Sequence, residues 1–116
     1  MNKSSQETII KINDIYYQIN EEEKTASIIK NDEKSNNILI PRFINHESKE
    51  YLITRISENA FEETCNINSI EFSSDSSLLT IEKNSFYLSH IKSITIPSSV
   101  TELQEGWCSN INRVTS

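Results

Sequence analysis

The residues of this 116-residue chain that could do chemistry are few: two cysteines, two histidines, a run of three glutamates and a cluster of serines. Cys65 and Cys108 have no histidine nearby, so they lack the four-ligand pattern of a structural zinc site. A disulfide between them would have to cross nearly two units of the repeat described below. At about 4.8 Å per stacked strand, that span reaches or passes the usual Cα limit of about 7 Å. Both are read as small buried hydrophobes. His46 and His90 each lack a partner at a helical or catalytic spacing, and they read as surface or loop histidines. Glu21, Glu22 and Glu23 could attract calcium, but the alternating oxygen spacing and the glycine of a calcium loop are missing. They read as a solvated turn.

The serine-rich stretch "SSDSS" at 73–77 offers hydroxyls, yet a nucleophile needs a base and a group that orients the base. Nothing in the spacing supplies either. It reads as a loop in which Ser and Asp replace glycine. Gly106 is the sole glycine, which excludes a glycine-rich phosphate cradle. No catalytic, metal or cofactor site is expected, and no enzyme. The Asn2-Lys3-Ser4 glycosylation signal lies in a segment, residues 1–7, expected to be a mobile tail.

The formal net charge is −6, and the eleven basic residues are scattered singly. Nucleic-acid affinity and attraction to anionic membranes both need concentrated Lys and Arg, so neither partner is expected. The longest apolar runs, such as "ILI" at 38–40, fall far short of the roughly 20 residues that span a bilayer. The opening "MNKSSQETII" holds no apolar stretch of signal-peptide length. That favours the cytoplasm.

The elements that position these residues come from a repeat. Ile56, Phe61, Ile67, Ile70 and Phe72 form one apolar series, and Ile81, Phe86, Ile91, Ile94 and Ile96 form the next, at offsets of 25, 25, 24, 24 and 24. A third pass begins at Leu103 and continues through Cys108, Ile111 and Val114. Such spacing marks units that bury an apolar face against their neighbours. "SIEFS" (69–73) and "SITIP" (93–97) alternate with period two and predict short strands. "LITRI" (52–56), "LLTI" (78–81) and "VTEL" (100–103) predict a second family of extended segments. "SENAF" and "EKNSF" between them predict single helical turns. Pro41 and Pro97 end their strands, because proline cannot donate to a ladder. In the N-terminal third, "DIYYQIN" (14–20) and "KTASIIK" (24–30) predict a hairpin. "NNILIPR" (36–42) predicts the first repeat strand, and "FINHESKEY" a looped insertion.

The segments "ITRISENAF" and "IKSITIPSSVTELQEGWC" resemble the BspA-like leucine-rich repeat proteins. Their units run Ile-x-x-x-Ala-Phe, a small residue or Cys, Leu-x-x-Ile, then Ile-Pro-x-Ser-Val-Thr. The upstream region is similar to that of protist members, notably trichomonad ones, and the resemblance covers residues 14–116. Two departures stand out. Ser57, Glu82 and Gln104 occupy a position where the family commonly has glycine, so a positive φ is not expected there. Trp107 and Cys108 replace the small-Phe pair.

The resemblance implies a mainly β fold: a short leucine-rich-repeat-type solenoid with short helical turns and an N-terminal β-hairpin cap. The expected organisation is a tail at 1–7, a hairpin cap at 8–35 and a solenoid at 36–116 whose last repeat is incomplete. It further implies a non-catalytic protein-binding module of a surface antigen or adhesin, contacting host or matrix proteins. The alternative is an intracellular scaffold or regulatory domain that binds a cytosolic protein. The family has no fixed binding motif, so candidate residues come from the alternation. If Ile70, Phe72, Ile94 and Ile96 face inward, then Leu39, Ser69, Glu71, Ser93, Thr95, Arg113 and Thr115 share an outward face. The unfinished third pass further predicts one of two things: self-association, as a homo-oligomer, through the C-terminal end, or a natural protein that continues beyond it.

Overall fold

The computed structural model describes residues 8–32, 36–62, 66–108, 111 and 113–115. The tail at 1–7 and Cys65 lie outside the described residues. Among the described residues eleven short strands account for the regular structure: β1 (Thr8–Ile12), β2 (Ile15–Asn20), β3 (Thr25–Asn31), β4 (Asn37–Ile40), β5 (Phe43–His46), β6 (Lys49–Ile56), β7 (Ser69–Phe72), β8 (Thr80–Ile81), β9 (Ser93–Thr95), β10 (Glu102–Leu103) and β11 (Arg113–Thr115).

One sheet runs β1-β2-β3-β6-β8-β10, with β5 paired to β6. It begins antiparallel and turns parallel at β3, which pairs antiparallel with β2 and parallel with β6. β3 is therefore both the second arm of the N-terminal hairpin and the first strand of the parallel stack. Its hairpin partner closes an edge that would otherwise present unpaired N–H and C=O groups. β2 alternates strictly, with Ile15, Tyr17 and Ile19 buried. The β2–β3 turn is fixed by Asn20, whose carbonyl accepts the Lys24 amide at 2.8 Å and whose Oδ1 accepts the Glu23 amide at 2.9 Å.

From β3 onward apolar residues stack in register. Ile28 pairs with Ile56, Ile56 with Ile81, and Ile81 with Leu103. On the other side Ile38 pairs with Ile70, and Ile94 with Val114. Every member is buried except Leu103 and Val114, the last of each column, which are 47% and 44% exposed. An inward position is covered by the neighbouring coils, and these two have a described neighbour on one side only.

Short helical turns were expected between the strands, and the structure corrects this: the segments are turns, with no helix among the described residues. The cause is a left-handed residue in each segment. Asn59, Asn84 and Gly106 have φ of 63°, 54° and 75°, and a right-handed helix cannot run through such a residue. Each is the third residue of a four-residue turn closed by a backbone bond: Ala60 to Ser57 at 3.1 Å, Ser85 to Glu82 at 3.2 Å, Trp107 to Gln104 at 3.2 Å. Asn and Gly are the residue types that tolerate positive φ there. The turns also stack on one another. Phe61 donates its amide to the Ser85 carbonyl at 2.8 Å, and Phe86 to that of Trp107 at 3.3 Å.

Glu82 and Gln104, at the family's usual glycine position, have no positive φ. Each reaches back one coil instead: Glu82 Oε1 accepts the Glu58 amide at 3.1 Å, and Gln104 Oε1 accepts the Lys83 amide at 3.2 Å. Glu82 also pairs with the Arg55 guanidinium. Inside these turns Phe61 and Phe86 stack with centroids 5.3 Å apart, and Trp107 meets Phe86 edge-on at 6.3 Å. Trp107 supplies the aromatic bulk that Cys108, in the phenylalanine position, lacks.

The segment at 43–51, expected as a looped insertion, is a hairpin. β5 pairs antiparallel with the start of β6, and Glu47 and Ser48 both take positive φ, 51° and 68°. Two such residues between paired His46 and Lys49 are the mark of a type I′ connection.

Two outcomes follow for stability. Asn84→Val, which forces a β-branched side chain into the left-handed region, is expected to cost about 1–2 kcal/mol. Asn84→Gly should stay close to wild type, and urea unfolding midpoints distinguish them. Burial raises the Tyr17 phenol to about 12. The unfolded phenol ionises near 10 while the folded one stays protonated, so this contribution is complete below pH 10 and is lost as pH rises from 10 toward 12. The stability of wild type relative to Tyr17→Phe is therefore expected to fall by roughly 1–3 kcal/mol over that interval. Unfolding curves at pH 9 to 12 check it.

Candidate protein-binding face

The outward face expected from alternation is built from β4, β7, β9 and β11. β4 pairs parallel with β7, which sets Asn37 beside Ser69 and Leu39 beside Glu71. β9 pairs parallel with β11, which sets Ser93 beside Arg113 and Thr95 beside Thr115. Ile38, Ile70 and Ile94 point inward, while Leu39, Glu71, Ser93 and Thr95 are exposed and Ser69 is half-buried. Thr115 is exposed, and Arg113 pairs with Ser93 in the β9–β11 ladder. Leu39 is 64% exposed. The structure thus brings all seven sequence-derived positions onto four strands of one side.

Its centre is not a closed sheet. β7 and β9 are successive in the stack and close together, but they share no ladder. Between them lies a crevice of about 480 Å³. Ser69, Glu71, Ser93 and Thr95 line it, with Ile70 and Ile94 beneath. The corners that follow each strand close its end, through Ser73, Ser74 and Ser76 and through residues 97–99.

Alternation assigns the backbone groups. The Ser69 amide donates to the carbonyl of Asn36, just before β4, the Ser73 amide to that of Ile40 in β4, and the Ile96 amide to that of Thr115. Backbone groups of successive strand residues point to opposite edges, so those of Ile70 and Phe72, and of Ser93 and Thr95, face the crevice. The crevice therefore presents hydroxyls and strand-edge amides and carbonyls around an apolar base. Among the described residues Glu71 is the one ionisable side chain lining it.

Two further features were missed from sequence. Asn37 belongs to the outward column by the same alternation, and its Oδ1 accepts the Ser69 hydroxyl at 2.8 Å. The serines of the corners were read only as loop residues. Ser73 Oγ does bond Asp75 Oδ1 at 2.9 Å, and Ser76 Oγ accepts the Leu78 amide at 3.1 Å. Ser99 Oγ is buried without a hydrogen-bond partner among the described residues. The signal was present in sequence: each strand is followed by a hydroxyl-rich corner, "SSDSS" after β7 and "PSSV" after β9.

The remaining candidates do not join this face. Cys108 is a free, half-buried thiol rather than a fully buried one. His46 lies 3.8 Å from the Glu47 carboxylate and meets the Tyr51 ring at 6.4 Å, while His90 is exposed. Glu21, Glu22 and Glu23 occupy the exposed β2–β3 turn. Among the described residues no three His, Cys, Asp or Glu side chains gather as a metal-binding group, and no helix is long and apolar enough to cross a membrane.

The sequence matches the family described as "BspA type Leucine rich repeat region (6 copies)" over residues 35–116. The chain belongs to the BspA-type leucine-rich repeat family. Among curated proteins none matches it by sequence. Two crystal structures share its fold at 22% identity. A leucine-rich repeat protein from Bacteroides capillosus aligns with a TM-score of 0.60 over 92% of this chain and 96% of its own. A leucine-rich cell surface protein from Faecalibacterium prausnitzii aligns with a TM-score of 0.71 over 96% of this chain and 31% of its own. The BspA-type repeat thus covers β4 through β11, which includes every strand of the crevice face.

Ser99 provides a direct check on whether the crevice hydroxyls are structural. A buried hydroxyl with no partner carries a desolvation cost, and its replacement by an apolar group is neutral or stabilising. Ser99→Ala is expected to leave the urea midpoint unchanged or raise stability by up to about 1 kcal/mol.

Proposed function

We propose that the chain is a non-catalytic protein-binding module, a short solenoid capped by its N-terminal hairpin, that presents the crevice face at a cell surface. The observation that carries this reading is the alignment of outward residues from four strands into two columns flanking the crevice. Repeat stacks make extended binding surfaces in this way. Small side chains at Ser69, Ser93 and Thr95 leave the backbone edge reachable, while the exposed Leu39 adds apolar contact at one side. The surface placement follows the antigen and adhesin character that the family resemblance implies.

Two readouts test the proposal. Antibody against the chain should label intact, unpermeabilised cells of the source organism; labelling only after permeabilisation would replace the surface reading with an intracellular scaffold. Immobilised wild-type chain should retain a protein partner that the double variant Ser93→Lys/Thr95→Lys loses, while Lys83→Glu, on the turn side of the coil, retains it. Equal retention by both variants would remove the crevice face from the proposal.

A further inference from the structure

We propose that the crevice between β7 and β9 is a receptor for a single arginine side chain presented by the partner protein. This deepens the protein-binding reading and rests on it. The first argument is charge. Glu71 is the one ionisable group among the described residues that line the crevice, and its carboxylate makes no ion pair or hydrogen bond with the described residues. The carboxylate of Glu71 is therefore the charge that a ligand in the crevice meets.

The second argument is the balance of donors and acceptors. Ser69, Ser93 and Thr95 line the same crevice as the carboxylate, and by alternation the carbonyls of Ile70 and Phe72 face it. A guanidinium brings five N–H donors and no acceptor, in a planar fork that engages a carboxylate through two parallel bonds. Lysine brings a point charge with three donors and cannot make that bidentate contact. A carboxylate or phosphate ligand would meet Glu71 as a like charge. The third argument is the apolar base. Ile70 and Ile94 lie beneath the crevice, and a methylene stem can run along such a surface while its charged head stays at the polar rim. The volume of about 480 Å³ lies in the range of small-ligand sites.

The probe is the blocked tripeptide acetyl-Gly-Arg-Gly-amide, titrated into the full chain labelled with nitrogen-15. Saturable amide shifts are expected at Ile70, Glu71, Ser93 and Thr95. The citrulline tripeptide, isosteric but uncharged, and the Glu71→Gln variant should each bind at least about tenfold more weakly, because a charge-assisted bidentate pair is lost. The lysine tripeptide should bind several-fold more weakly than the arginine one. Absence of saturable shifts, equal binding of citrulline or lysine, or indifference to Glu71→Gln would each overturn the proposal. Glu71 is exposed, so the variant is expected to fold; Thr95→Lys, which sets a competing cation on the rim, gives a second route to the same loss. Failure here is distinguishable from failure of the broader reading. If the partner is still lost with Ser93→Lys/Thr95→Lys but retained by Glu71→Gln, the face binds protein and the arginine assignment alone is wrong.

Discussion

The left-handed residue at the centre of each turn is the constraint on which the other features depend. Asn59, Asn84 and Gly106 stop the chain from continuing as a helix and return it toward the next strand at the same point of each coil. That return brings Phe61 over Phe86 and sets Ile56, Ile81 and Leu103 in one column. Coil length is allowed to vary around it: paired residues lie 25 apart between β6 and β8, 22 between β8 and β10, and 20 between β9 and β11. Register survives because the turns and inward positions are kept while the corners absorb the difference. The Glu82 and Gln104 side chains then tie each turn to the one before it, so the coils are joined by side chains as well as by ladders.

The two sides of the stack behave differently for a reason visible in their strands. On the first side, β3, β6, β8 and β10 form a continuous ladder begun by a hairpin. On the second, the strands pair two by two, and the break falls between β7 and β9. An apolar layer still connects the two halves, since Ile70 and Ile94 are both buried. What the break changes is the outer surface. A closed parallel sheet would spend its backbone groups on itself; here a short run of them is left beside small hydroxyl side chains and one carboxylate. The proposed binding face therefore lies where the ladder is incomplete, with the continuous side behind it.

Much of this architecture can be read from particular residues. The recurrence of Ile56 and Phe61 at Ile81 and Phe86 anticipates the stacked turns, and the alternation in "SIEFS" and "SITIP" anticipates which side chains face outward. Other features escaped for identifiable reasons. The β5–β6 hairpin turns on Glu47 and Ser48 rather than the Asn-Gly or Asp-Gly pair that signals such a connection. The helical reading of "SENAF" and "EKNSF" followed side-chain propensity, and the φ of their asparagines overrode it. β1 is a third strand beside the expected hairpin, in a segment where "TIIKI" shows no clean alternation. The crevice itself was invisible, because a constant offset of 24 between β7 and β9 implies a continuous ladder, and sequence spacing cannot report whether neighbouring strands bond.

The measurement that bears most directly on this account is native-state amide exchange resolved along β7 and β9. The incomplete ladder requires the Phe72 and Thr95 amides, which face the crevice, to exchange at least about tenfold faster than the Ser73 and Ile96 amides, which bond to β4 and β11; exchange free energies within one fold span such ranges. Equal protection on both edges would mean that β7 and β9 close into one sheet, and would remove the crevice on which the proposed binding rests.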